Sequence, residues 1–216
     1  MSYHSLPRRD FIKKSAIGLA AASLSGRALA SSSETQMKPL HQALPPWTGF
    51  NFLDFFAPNP AKGYPKTAED SFKWMRDWGF DFVRIPMAYP YFLDIDYQTD
   101  ITPDQVYAFS EEKVAEVDAI VETAHKYGLH VSLNLHRAPG YCINAGFHEP
   151  YNLWTDAAAL DAFSYHWAMW SKRYAGLPTD LISFDLLNEP SLREDMNDQH
   201  GKREAVPGET YHRVAK

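Results

Sequence analysis

Hydrophobic and polar positions along this chain follow two alternating rhythms. Short apolar-rich runs at Phe80–Pro86, His130–His136 and Leu181–Leu187 have the length and density of buried strands. Gly49–Phe55 fits a first strand of the same kind. Between these runs apolar residues recur at helical spacing, as in Val114, Val117, Val121 and Ala124, or Phe163, Trp167, Trp170 and Tyr174. Thr67, with Asp70 three residues on, reads as a capping box opening the first helix, whose apolar side carries Phe72, Met75 and Phe80. Ser110 and Thr155 stand where they cap the next two helices, and a fourth helix begins near Glu209. Gly79, Gly128 and Gly176, 49 and 48 residues apart, stop the first three. The predicted order is β-α-β-α-β-α-β-α: an α/β fold with a parallel sheet, outer helices and right-handed crossovers.

The polar residues keep the same beat. In ISFDLLNEP (182–190), apolar Ile182, Phe184, Leu186 and Leu187 predict a buried strand that ends in Asn188, Glu189 and Pro190. Proline denies the ladder a donor, so the chain turns there. Arg84, His136 and Asn188 are separated by 52 and 52 residues, each near the end of a strand. In a parallel sheet all carboxyl ends of strands lie on one edge, where such folds keep their reactive groups. Any one of the three alone reads equally well as a satisfied structural polar residue. Their common spacing favours a shared site.

Composition changes this picture at the N-terminus. Arg8-Arg9-Asp10-Phe11-Ile12-Lys13-Lys14, a weakly apolar run over 15–26 and Ala28-Leu29-Ala30 form a twin-arginine export signal over 1–30. The run is too short to span a bilayer. It directs the protein to the periplasm or the outside. Residues 31–45 are a polar linker, and 46–216 form the folded domain. The net charge is −6, and the signal carries +4, leaving −10 on the remainder. So acidic a domain argues against nucleic acid or an anionic membrane as partner. The single cysteine, Cys142, allows no internal disulfide, which suits export in the folded state, and no Cys/His spacing marks a zinc site. Aromatic residues make up 14%, many of them in polar, proline-rich stretches where a flat ring suits stacking against a sugar.

Four segments carry a resemblance. GFN (49–51), FVRIP (82–86), NLHRAPG (134–140) and LLNEP (186–190) occur in the order and at the strand positions seen in glycoside hydrolase family 5. The chain resembles this cellulase-like group of retaining (β/α)8 hydrolases over roughly residues 47–190. The resemblance implies Glu189 as general acid/base and Asn188 as the partner of the sugar 2-hydroxyl. It implies Arg84 and His136 as holders of the carboxylates and the sugar, and Asn51 as part of the pocket floor. The substrate implied is a β-linked polysaccharide or oligosaccharide, with no cofactor and no metal. Physical chemistry supports such roles. An acid catalyst needs a raised pKa, which partial burial or a second carboxylate supplies. A guanidinium fork holds a carboxylate ionised and aimed. An amide can grip a hydroxyl whose hydrogen bond strengthens as the ring flattens.

The same resemblance shows what is lacking. Retaining hydrolysis needs two carboxyl groups roughly 5 Å apart, and the family takes its nucleophile from the seventh strand. Four βα units make half of a barrel that usually needs ~250 residues. The domain therefore reads as the N-terminal half of a (β/α)8 barrel, with its partner half and nucleophile elsewhere. Such a piece exposes sheet edges at its first and fourth strands. Asp54, Asp94, Asp96, Glu149, Glu194 and Asp195 read as solvated loop acids rather than a substitute nucleophile. The segments 87–109 and 137–154, carrying Tyr89, Tyr91, Tyr141, His148 and Trp154, are expected to wall the substrate subsites. Two other readings compete: a non-catalytic carbohydrate-binding protein, and a metal-dependent sugar isomerase with His136 and Glu189 as ligands.

Overall fold

A computed structural model of the chain describes residues 45–143, 148–193, 198 and 200–216. The export signal and nearly all of the linker lie outside the described residues, as do Glu194 and Asp195. In chain order the elements are β1 (Gly49–Asn51), α1 (Glu69–Asp77), β2 (Phe82–Ala88), α2 (Glu111–Lys126), β3 (His130–Ala138), β4 (Tyr141–Cys142), α3 (Ala157–Arg173), β5 (Ile182–Asp185), β6 (Ser191–Leu192), β7 (Glu204–Ala205) and α4 (Gly208–Ala215). Strands β1, β2, β3 and β5 lie side by side in that order, all parallel. The short β4 folds back antiparallel on the end of β3, and β6 pairs with β7 as a separate ribbon.

Side chains alternate across the sheet with period two, so the register assigns each residue a face. Phe50 pairs with Val83, Val83 with Val131, and Val131 with Ile182. On that face Val83, Ile85, Met87, Val131, Leu133 and Leu135 are fully buried. They share one core with Phe72 and Met75 of α1, Val114, Val117 and Val121 of α2, and Phe163, Trp167 and Trp170 of α3. Each such side chain contributes roughly 1.5–3 kcal/mol on leaving water. The other face carries polar rows: Asn51, Arg84, Ser132 and Ser183 in one, Pro86, Asn134 and Asp185 in the next.

The predicted elements form in the predicted order, with shifted ends. β1 stops at Asn51, and β5 stops at Asp185 rather than Leu187. Leu186 and Leu187 leave the ladder; Leu187 is buried, and the carbonyl of Leu186 accepts from Trp167 Nε1 at 3.2 Å. Phe184 is not a buried strand residue but 38% exposed, because β5 is a sheet edge among the described residues. Phe50 on the opposite edge is 50% exposed. The capping box at Thr67 does not form. Its N–H and Oγ1 both donate to Asp54, each at 2.6 Å, and the helix starts at Glu69 after Ala68. Asp156, not Thr155, precedes α3. Ser110 does precede α2, without a side-chain capping bond. Gly79, Gly128 and Gly176 follow their helices with φ of 85°, 70° and 96°, left-handed backbone that a side chain would oppose.

Candidate active site

Arg84 lies on the polar face of β2, where its row neighbours are Asn51 and Ser132. Its guanidinium reaches across the sheet to β5. Nε and Nη2 both donate to Asp185 Oδ2, at 2.9 and 2.7 Å, and Nη2 also donates to Asn188 Oδ1 at 3.0 Å. One planar fork thus ties the last residue of β5 to the turn that follows it. Charge-assisted bonds of this kind are short and directional. The side chains are 22% and 39% exposed, so the pair is partly screened and serves orientation more than stability.

His136 joins the group through an irregularity in the sheet. Met87 pairs with Leu135 and Ala88 with Arg137, so His136 is the extra residue of a bulge between them. A bulge re-aims a side chain without disturbing the ladder on either side. The imidazole Nε2 stands 3.4 Å from Asn188 Nδ2, and Phe56 packs on the ring with centroids 4.8 Å apart. Burial and the Arg84 guanidinium push the His136 pKa down to about 4, against a smaller opposing pull from Glu189. At neutral pH the ring is therefore uncharged. It can accept from the Asn188 amide.

Glu189 follows directly. Its backbone takes φ 44°, the one positive value at a described non-glycine residue. Its carbonyl accepts from Tyr141 Oη at 2.5 Å, and that hydroxyl in turn accepts from the N–H of Ser191 at 2.9 Å. The Glu189 side chain is exposed. The partial burial expected of it is absent among the described residues, because β5 ends four residues earlier and the acid stands on a turn after the strand. Tyr141 is corrected too. It is fully buried against Trp154 (centroids 5.1 Å apart) and fixes the turn from below instead of walling a subsite.

Several other expectations change for the same reason. Tyr89, Tyr91 and Trp154 are buried anchors, and only His148 of that set is exposed. Tyr89 Oη donates to Glu149 at 2.8 Å, and Arg137 donates to the same carboxylate at 3.0 Å. Glu149 is therefore a buried ion-pair partner, not a solvated acid. Asp54 is buried as well, receiving Thr67. Asp94 and Asp96 are exposed loop acids as expected. Asn51 is exposed in the row of Arg84 at the sheet edge.

The structure brings together Arg84, His136 and Asn188, with Glu189 next in the chain. Asp185 belongs with them and was missed. Its signal was present: a carboxylate inside an apolar strand demands a cationic partner. Among the described residues no group of three His, Cys, Asp or Glu side chains is placed to hold a metal ion. What the cluster offers is a fixed amide, a neutral imidazole and a guanidinium beside a projecting carboxyl group.

Comparison with known proteins identifies the family of the chain. The family model described as cellulase (glycosyl hydrolase family 5) matches residues 40–206. Cellodextrinase A of Ruminococcus flavefaciens is 34% identical over 122 residues, covering 56% of this chain and 32% of that protein. Endoglucanase C of Acetivibrio thermocellus is 31% identical over 121 residues, with the same two coverages. A solved structure described as a glycoside hydrolase superposes with a TM-score of 0.63 at 29% identity, over 78% of this chain and 46% of its own. The chain spans about a third of the length of those two curated relatives.

Proposed function

The chain belongs to glycoside hydrolase family 5, its four βα units being part of a (β/α)8 barrel, and from that premise we propose that the protein hydrolyses β-linked glucan-type polysaccharides or oligosaccharides with retention of configuration. The observation that carries this reading is the convergence of Arg84 from β2 and His136 from β3 on Asn188, in the turn after β5 that also bears Glu189. Glu189 protonates the leaving oxygen and later takes a proton from water. The Asn188 amide is held by its oxygen on Arg84, leaving its N–H groups for His136 and the sugar 2-hydroxyl. That bond strengthens as the ring approaches the oxocarbenium ion.

The nucleophile is a second carboxyl group carried outside these 216 residues. Asp185 does not fill the role, since its Oδ2 is already taken by two bonds from Arg84. Arg84 Nη1 has no hydrogen bond among the described residues and is the free prong that would receive the nucleophile. The twin-arginine signal over 1–30 would deliver the protein folded to the periplasm or beyond.

The test is Glu189→Gln in the whole protein, assayed on cello-oligosaccharides and mixed-linkage β-glucan. Turnover should fall by orders of magnitude while binding measured by calorimetry persists. Binding without turnover in the unmodified protein would favour a carbohydrate-binding role instead. Turnover lost on chelation would favour a metal-dependent barrel enzyme.

A further inference from the structure

One buried carboxylate ties together three segments beside the site: the end of β2, the end of β3 and the turn into β4. It belongs to Glu149, whose Oε1 accepts from Arg137 Nη1 at 3.0 Å. Its Oε2 accepts from Tyr89 Oη at 2.8 Å and from the Gly140 N–H at 3.2 Å. Glu149 and Arg137 are each 6% exposed, and Tyr89 is fully buried. A buried ion pair adds little stability over apolar side chains of the same size, because desolvation offsets the attraction. What it can supply instead is one fixed arrangement of the segments that reach it.

Where these donors sit decides what Glu149 fixes. Arg137 directly follows His136 and resumes the ladder, paired with Ala88, beyond the bulge. Tyr89 directly follows Ala88, so the carboxylate joins both strands just past the point where His136 is displaced. A bulge leaves its extra residue unpaired, and the flanking pairs set where that residue points. The outer flanking pair is the one that Glu149 holds. Gly140 directly precedes Tyr141, which pairs with Ala138 and whose hydroxyl donates to the Glu189 carbonyl. Along one branch the carboxylate is therefore bonded to the neighbour of the site's imidazole. Along the other it is bonded to the neighbour of the clamp on Glu189.

We propose that Glu149 is a positioning residue for hydrolysis: through Arg137 it aims His136, and through Gly140 and Tyr141 it sets the turn that bears Glu189. This inference rests on the glycosidase reading and adds to it a residue that acts only through others. Charge-assisted bonds are short and directional, so a carboxylate held from three segments leaves neither branch much room to shift. An amide of the same shape cannot replace it. Glutamine carries two acceptor lone pairs on one atom and two donors on the other. In either orientation its NH2 group faces a donor, the Arg137 guanidinium or the Gly140 N–H. One of the two branches must then move.

The experiment uses the whole protein with Glu149→Gln and, should that variant fail to fold, Tyr89→Phe, which removes one bond and keeps the ion pair. On cello-oligosaccharides kcat should fall about tenfold or more for Glu149→Gln, and less for Tyr89→Phe, with KM nearly unchanged. Phe72→Leu, in the core under α1, is the control: it weakens the fold without touching either branch and should keep the unmodified kcat. A second readout is independent of turnover. The imidazole nitrogen resonances of His136 should shift in the Glu149 or Tyr89 variant, while those of His130, at the other end of β3, stay in place. Unchanged kcat in a folded variant, or His136 resonances that do not move, overturns the proposal and leaves the glycosidase reading intact. An equal loss of kcat in Phe72→Leu overturns it too, since lost stability would then suffice. If the unmodified protein turns over none of these sugars, both readings fall together.

Discussion

Tyr141 Oη lies 2.5 Å from the backbone carbonyl of Glu189. The same hydroxyl receives the N–H of Ser191. A phenol that donates to one side of a turn and accepts from the other sets the height and pitch of the residue between. Tyr141→Phe keeps the buried ring and removes only these bonds, leaving a buried N–H and a carbonyl unpaired. The expected cost is about 1–3 kcal/mol by chemical denaturation. In the whole protein kcat should fall with KM nearly unchanged, since the acid loses its aim and the sugar contacts remain. A variant with unchanged kcat would show that the turn holds its shape without the clamp.

Glu189 pays for its position in backbone strain. A non-glycine residue at φ 44° costs on the order of 1 kcal/mol, and the cost persists only where the surroundings enforce it. Glu189→Gly should therefore raise stability by up to about 1 kcal/mol while abolishing turnover, and Glu189→Gln should abolish turnover with stability unchanged. Denaturant midpoints of the two variants, measured side by side, decide it. A less stable glycine variant would mean that the turn is not strained.

Arg84 is bound to Asp185 and Asn188 through adjoining donors, so the two partners depend on one geometry. Arg84→Lys retains the charge and loses the fork. We expect kcat/KM in the whole protein to drop by about tenfold or more, through a loosened Asn188 amide. Asn188→Ala added on top should cost much less than it does alone, the non-additivity that marks one unit. Fully additive losses would separate the two residues.

Much of this was legible in the chain. Helix periods, strand runs and helix-ending glycines placed the βα units, because burying apolar side chains on a two-layer fold leaves few alternatives. Arg84, His136 and Asn188 were found by their common spacing. Their meeting, however, depends on a bulge that inserts His136 between paired residues, and sequence spacing does not encode a bulge. Asp185 was passed over because it was read as part of a strand body, where its partner on β2 was invisible. For Tyr141, Tyr89 and Trp154 the sequence predicts sugar-facing walls, because aromatic loop residues look alike whether they point inward or outward. Only packing decides, and here their phenol and indole groups turn into the core.

Two histidines make the fold sensitive to acid. His136 and the fully buried His166 both have pKa values pushed down to about 4 from 6.5, chiefly by burial. His166 donates from Nε2 to the carbonyl of Val106 at 2.9 Å, and its Nδ1 is buried without a partner. In the unfolded chain both rings take up a proton near pH 6.5, before the folded rings do. Their contribution is therefore complete above that pH and is lost as pH falls from 6.5 toward 4. The loss should be on the order of 3 kcal/mol for fully buried His166 and smaller for half-buried His136, whose charge solvent partly screens. His166→Gln, which keeps an N–H for Val106 and cannot titrate, should flatten the stability profile over that window. Equal slopes for the two proteins would remove His166 from the account.

The last expectation concerns the edges of the sheet. Among the described residues β1 pairs only with β2, and β5 only with β3. The aromatic residues at those edges, Phe50 and Phe184, occupy the rows that elsewhere pack under helices, yet they are 50% and 38% exposed. Open ladders beside apolar rings invite pairing with another chain. A polypeptide of residues 45–216 alone should therefore self-associate as its concentration rises, with broad unfolding. Lysine at both positions should suppress this, since its charge resists burial while its stem still covers the neighbouring ring. Sedimentation over a hundredfold concentration range provides the measurement. A monomer throughout, unfolding in one sharp cooperative step, would show that the four units close their own edges.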